Sequence, residues 1–171
     1  MTDTAVHARF NESCAHFLHA VLQELTAVVV QADQDVPLGL LRRFSNVVIE
    51  DSSSIALPDD LAEIWQGCGG HDGQGQATVK IHVRWEIKRG QMWGPSLTNG
   101  RTSDRSSPFN EDALPIGSLY VADLGYFNLD RIVARRTAKS YTLTRPQSST
   151  AFFTKEGKRL QLKAVLPQQV G

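Results

Sequence analysis

The 171-residue sequence predicts an α/β protein, a mixed sheet with helices alongside it. Three observations carry that prediction. Phe10, Cys14, Phe17, Leu18, Val21, Leu22, Leu25, Val28 and Val29 recur at helical spacing between His7 and Gln31. Val79, Ile81, Val83, Trp85 and Ile87 alternate with Lys80, His82, Arg84, Glu86 and Lys88, the period of a strand. Two short apolar runs, Asn46 to Asp51 and Gly117 to Asp123, each close on an aspartate.

Taken in order, the first helix spans about His7 to Gln31. A second, short helix follows: Asp35 caps it, Pro37 sits in its first turn, and Leu38, Leu40, Leu41 and Phe44 fill it. Asn46 to Asp51 is the first strand. Pro58-Asp59-Asp60-Leu61 starts another short helix, its acids in the first turn where the dipole favours them. Gly67 to Gln76 is a glycine-rich loop. Thr78 to Lys88 is the clearest strand, and Arg89-Gly90 turns it into an antiparallel partner, Gln91 to Thr98. Asn99-Gly100 ends that partner. Arg101 to Pro115 is polar, with a helical turn near Glu111 to Leu114. After the strand Gly117 to Asp123, Asn128 caps a helix running to about Ala138. Lys139 to Thr144 is a strand. Phe152-Phe153-Thr154 and Arg159 to Val165 flank Glu156-Gly157 as a hairpin.

Composition narrows the function classes. An apolar content of 41% argues against disorder. Lys plus Arg and Asp plus Glu number 18 each, so a general basic excess is absent, although a local basic stripe suffices for nucleic acid. Cys14 and Cys68 are too few for a disulfide framework, which makes a reducing cytoplasm the expected location. The N-terminus lacks a signal-peptide pattern. No apolar run approaches the roughly 20 residues that cross a bilayer, so no membrane partner is expected.

Most candidate sites fail on local pattern. The glycine loop follows a helix and opens a strand, the reverse of a phosphate-cradling loop. Cys68 and His71 lack a second ligand pair, and Cys14, His16 and His19 fit a helix face. Ser52-Ser53-Ser54 lacks the flanking glycines of a nucleophile elbow. Lys80, His82, Arg84 and Lys88 share one strand face, and Arg131 and Arg135 one helix face. Both sets read either as solvated surface or as contacts to a phosphate backbone. Asp51 and Asp123 remain. An acid at a strand tip stands where a sheet opens to ligands. Carboxylates brought together from adjacent strands are a common way to hold magnesium against a phosphate.

The surroundings of the two acids are more specific than the acids. Asp51-Ser52-Ser53-Ser54-Ile55-Ala56-Leu57-Pro58 is a strand-end acid, then small residues, then Leu-Pro. Lys80-Ile81-His82-Val83-Arg84-Trp85 has the Lys-x-His form. Thr98-Asn99-Gly100-Arg101-Thr102-Ser103-Asp104 is a Thr-x-Gly-x-x-x-Asp segment. Leu114-Pro115-Ile116-Gly117 then leads to Asp123-Leu124-Gly125-Tyr126-Phe127, an Asp-x-Gly-Tyr/Phe segment. This ordered series, from about Phe44 to Leu162, resembles the DDE transposases of bacterial insertion sequences, of the insertion-sequence-four type.

The resemblance implies a ribonuclease-H-like mixed sheet with flanking helices, incomplete at its C-terminal end. It implies a helical segment over 1–44 and a partial catalytic domain over 45–171. It also implies DNA cleavage and strand transfer with Mg2+ or Mn2+, held by Asp51 and Asp123 in the first two acid roles. DNA, both transposon ends and target, would be the partner. The family's third acid, in a Tyr-Arg-Glu-Lys segment, has no match here. Glu156 is the nearest later Glu and falls in a hairpin turn. A truncated transposase is therefore expected, with impaired or absent activity. The alternative is an inactive remnant that binds DNA or pairs with a full-length transposase.

Overall fold

A computed structural model describes residues 11–32, 39–68 and 77–160. Helix α1 (Glu12–Ala32) precedes strands β1 (Val47–Ala56), β2 (Thr78–Glu86) and β3 (Gln91–Asn99). Strand β4 (Leu119–Ala122), helix α2 (Leu129–Thr137) and strand β5 (Tyr141–Leu143) follow. These five strands form one mixed sheet in the order β3-β2-β1-β4-β5. β1 pairs antiparallel with β2, and β2 with β3, while β1–β4 and β4–β5 are parallel. Strands β6 (Phe152–Phe153) and β7 (Arg159–Leu160) make a separate hairpin. The architecture is α/β, as expected, with few helices.

Several elements differ from the sequence expectation, each for a local reason. β1 does not stop at Asp51. It runs on through the serines to Ala56, because β2 continues to pair with it from Asp51↔Val83 to Ala56↔Thr78. Pro58 to Leu61 makes only a single 3-10 turn, Asp59–Leu61, without a side-chain cap. Glu111 to Leu114 is a turn and coil, and the helical turn of that segment lies earlier, at Asp104–Ser106, where Ser103 accepts from the Arg105 amide. Leu40 to Phe44 holds a 3-10 turn, Leu41–Arg43. Asp35, Pro37, Leu38, the glycine loop from Gly69 onward and the hairpin beyond Leu160 lie outside the described residues.

The crossover from β4 to β5 follows its sequence signals closely. Asn128 accepts from the Arg131 amide at 3.2 Å and caps α2. Lys139, at φ 58°, takes the left-handed conformation that ends a helix, and the chain turns at once into β5. This short, well-stopped helix carries the chain from β4 to the parallel neighbour β5.

The period of β2 was legible, but its inside face was not. His82, Arg84 and Glu86 are buried, whereas Ile81, Val83 and Trp85 are only partly covered. The charges of this face find partners from several segments, those of Arg84 and of its counter-ion Glu50 between Ser107 and Tyr120. Arg84 meets Glu50 at 2.9 Å, with both side chains essentially inaccessible, and donates to the Phe109 carbonyl. Glu50 also accepts from Tyr120 Oη at 3.1 Å and from Ser107 Oγ. His82 Nε2 lies 2.8 Å from Thr98 Oγ1, and Glu86 accepts from the Val47 and Arg89 amides. Buried charges with hydrogen-bonded partners are tolerated inside; His82 Nδ1 has no hydrogen-bond partner among the described residues. Beside them Val48, Tyr120, Ala122 and Tyr126 form a small apolar core.

Candidate functional site

Parallel pairing between β1 and β4 ends at Glu50↔Ala122. Asp51 is the next residue of β1 and Asp123 the first beyond β4, so the register brings the two backbones together at these acids. Asp123 keeps an extended backbone (φ −73°, ψ 174°) before the chain enters the 3-10 turn Leu124–Tyr126. Strand alternation turns Asp51 away from the buried Glu50 face, whereas Asp123, just past the end of β4, lines a cleft together with Asp104 and Lys80; both acids are exposed. What the sequence suggested as two strand tips is thus one place: the level at which the parallel half of the sheet stops while its antiparallel half continues.

A third carboxylate fastens this level from beneath. Asp104 Oδ1 accepts from Ser52 Oγ at 2.8 Å and from Lys80 Nζ at 3.0 Å, and the same ammonium donates to the Thr102 carbonyl at 2.7 Å. Asp104 Oδ2 lies against Gly125, where an added Cβ would stand only 2.5 Å from it. Asp104 therefore ties the residue after Asp51, the neighbouring strand β2 and the turn after Asp123 into one unit. Gly125 is required for that approach.

Asp123 has its own counter-ion. Arg145 Nη2 lies 2.7 Å and Nε 3.3 Å from Asp123 Oδ1. The Arg145 hydrogen bond, followed by the Leu124 amide, holds the Asp123 carboxyl below the usual carboxylate range. Beneath, burial pushes the Tyr126 and Tyr120 phenols well above their ordinary value, and nearby carboxylates, including Glu50, add to it. Both phenols stay neutral at any physiological pH. An open cleft of about 600 Å³ adjoins Asp123; its lining includes Lys80, Arg101, Asp104, Arg105 and Arg145.

The other sequence candidates are placed differently. His82 and Arg84 are inaccessible, so the basic face of β2 is not a surface. Lys80 is largely covered and engaged by Asp104, and Lys88 Nζ donates to the Phe44 and Ser45 carbonyls. Arg131 pairs with Glu111 at 2.6 Å. The Arg135 guanidinium stacks 3.6 Å from the Tyr120 ring centroid, and burial lowers its pKa. Glu156 sits exposed in the β6–β7 turn, its carboxyl held low by the Thr154 hydroxyl. Cys68 Sγ lies against the Gly100 carbonyl. Sequence reasoning passed over Arg101, Arg105 and Arg145. It quoted Asp104 within the Thr-x-Gly-x-x-x-Asp segment without giving it a task, and the Gly125 match was the available signal.

As metal donors, Asp51 and Asp123 are suitable in kind: hard oxygens, exposed, at one level on adjacent strands. Among the described residues no three His, Cys, Asp or Glu side chains gather into a group that holds a metal ion. Two carboxylates therefore make a partial donor set. Among the described residues no helix is long and apolar enough to cross a membrane.

No family model matches the chain. It is similar to the transposase for insertion sequence element IS231F of Bacillus thuringiensis subsp. israelensis, 26% identical over 156 residues, which are 91% of this chain and 32% of that protein. The transposase for IS231B of Bacillus thuringiensis subsp. berliner is 25% identical over 146 residues, 85% of this chain and 30% of that protein. The transposase for IS1151 of Clostridium perfringens is 24% identical over 157 residues, 88% of this chain and 32% of that protein. The chain thus spans about a third of the length of the curated relatives it matches.

Proposed function

We propose that the chain carries part of the catalytic centre of a DNA transposase of the DDE type, on a ribonuclease-H-like sheet. The observation that carries this reading is the β1–β4 register, which sets Asp51 beside Asp123. The similarity to insertion-sequence transposases supports it independently. Asp51 and Asp123 would hold Mg2+ or Mn2+, with further donors from outside the described residues. A divalent cation there supplies an activated oxygen nucleophile and a stabilised leaving oxygen for phosphodiester cleavage. The chain's own residues supply position. Asp104 fixes the ends of β1 and β4 relative to each other through Ser52 and Gly125. Arg145 lowers the pKa of the Asp123 carboxyl and holds its Oδ1.

The test is nicking of supercoiled plasmid in Mg2+ or Mn2+. Wild-type nicking that is lost in both Asp51→Ala and Asp123→Ala supports the reading. Absence of nicking by the wild type, or nicking that persists in Asp51→Ala, overturns it for this chain. A non-catalytic DNA-binding or transposase-pairing role is the second reading, favoured by the partial donor set.

A further inference from the structure

The chain as a whole carries no net charge, 18 basic against 18 acidic residues, yet its charge is not evenly spread. The cleft beside Asp123 gathers four cations, Lys80, Arg101, Arg105 and Arg145, against two carboxylates, Asp104 and Asp123. Lys80 is neutralised by Asp104 at 3.0 Å and Arg145 by Asp123 at 2.7 Å. Arg101 and Arg105 are the surplus. Arg101 is exposed, and among the described residues only its Nε is engaged, by the Gly67 carbonyl at 2.6 Å. Arg105 is exposed, and its side chain makes no hydrogen bond or ion pair among the described residues.

These arginines are held by backbone the fold makes rigid. The Asp104–Ser106 turn that carries Arg105 is pinned through Asp104 to β1 and β2. The Gly100 amide donates to the Thr78 carbonyl at 2.8 Å, and a Cβ at Gly100 would stand 2.7 Å from the Thr78 side chain. Arg101 therefore starts from a closely packed turn. Arg145 follows β5 directly and is 75% exposed even while paired. Planar, always-charged guanidinium groups around an open cleft match phosphate oxygens bidentately.

We infer that the Arg101–Arg105–Arg145 cleft binds the phosphodiester backbone of a nucleic acid and leads it past Asp123. The basic β2 face cannot take this role, since His82 and Arg84 are inaccessible. Arg145 links the cleft to the acid: a phosphate that draws its guanidinium away uncovers the Asp123 carboxylate. This inference rests on the transposase reading for the identity of its ligand, but not on any metal-dependent step.

The experiment is fluorescence anisotropy of a fluorescein-labelled 20-base-pair DNA duplex, titrated with the full chain in EDTA across a range of salt concentrations. Each phosphate contact contributes about one unit to the slope of log affinity against log salt. Arg105→Gln and Arg145→Gln should each reduce the slope by about one, and the double variant by about two. Arg89→Gln, in the β2–β3 turn at the other end of β2, should leave it unchanged. Equal unfolding midpoints for all variants exclude a folding effect. A double variant with the wild-type slope, an Arg89→Gln slope that falls as far, or no binding by the wild type at low salt overturns the inference. Asp51→Ala separates the two readings. If the wild type fails to nick plasmid but binding depends on the arginines and survives Asp51→Ala, the cleft stands and the catalytic reading falls. If nicking requires Asp51 but the arginine variants keep the wild-type slope, the reverse holds.

Discussion

Glu50 and Asp51 are neighbours on one strand and face opposite sides of it, and their surroundings could hardly differ more. Glu50 is sealed from water and shared by Arg84, Tyr120 and Ser107. Asp51 is exposed, and among the described residues its carboxylate accepts only from the adjacent Ser52 amide at 2.8 Å. One charge is committed to the fold and the other is kept available. Just past β4 the chain likewise passes from buried Ala122 to exposed Asp123. A sheet that buries one carboxylate and leaves the next exposed separates stability from chemistry residue by residue.

The largest effect that tests this contrast is on the buried side. Arg84→Ala leaves the buried Glu50 carboxylate without its counter-ion, and Glu50→Ala leaves the buried Arg84 relying on the half-exposed Asp112; each costs about 3–5 kcal/mol in urea unfolding. Replacing both together, Glu50→Leu with Arg84→Met, should recover most of that loss, because a well-packed apolar pair substitutes for a buried ion pair. Asp51→Asn should leave the unfolding midpoint within about 0.5 kcal/mol of wild type while removing any plasmid nicking. If Asp51→Asn destabilises the chain as much as Glu50→Ala, the separation does not exist.

Gly125→Ala joins the two sides and should be intermediate, at about 1–3 kcal/mol, the range for overpacking. The new methyl meets Asp104, which is not at liberty to move, since Ser52 and Lys80 hold its other oxygen. The sharper readout is local. Amide chemical shifts of Ser52 and Thr102 should move in Gly125→Ala while those of β3 stay in place. Shifts confined to Gly125 and its sequence neighbours would show that Asp104 does not couple the two strand ends.

These contrasts also explain what a linear reading recovers. A strand that ends in an acid is a local pattern, so Asp51 and Asp123 were found, although β1 proved to run on to Ala56. That they come to neighbouring strands is a matter of the β1–β4 register, a pairing between segments some 70 residues apart in sequence. The alternation in β2 was equally local, but which face is inside depends on what covers it. Ser107, the Phe109 carbonyl and Asp112 supply the charges of that face with partners from some 20 to 60 residues away in sequence. An apolar-inside rule has no access to such partners, and it turned the buried Arg84 outward. Arg145 was missed for the same reason: it lies 22 residues beyond the acid it covers.

The buried face should reveal itself in acid. Burial lowers the pKa of His82, with Asp104 acting in the opposite direction. An unfolded histidine takes up its proton near pH 6.5, while His82 in the fold resists until lower pH. Between those two values the unfolded state binds more protons. Stability is therefore complete above about pH 6.5 and falls as pH drops through the folded value. Urea midpoints measured from pH 7.5 to 5 should decline in the wild type and run flatter in His82→Gln. Parallel curves would remove His82 as the cause.

The smallest effect is expected at the exposed acid, and its direction is informative. Asp123 is held ionised below the usual carboxylate range mainly by Arg145. Its folded pKa is depressed, so the pair is intact above the ordinary carboxylate value and is lost as pH falls through the lower, folded one. Carboxyl carbon shifts of Asp123 should titrate below those of an ordinary aspartate, and Arg145→Gln should return them toward it. On the proposed metal-binding reading, Arg145 competes for Asp123, since it occupies one of the two carboxylate oxygens open to a cation. Mn2+ affinity, read by electron paramagnetic resonance, should therefore rise in Arg145→Gln, by at most about fivefold, because an exposed ion pair contributes no more than that. A fall in Mn2+ affinity would instead mean that Arg145 orients Asp123 for the cation, and that the guanidinium works with the metal rather than in its place.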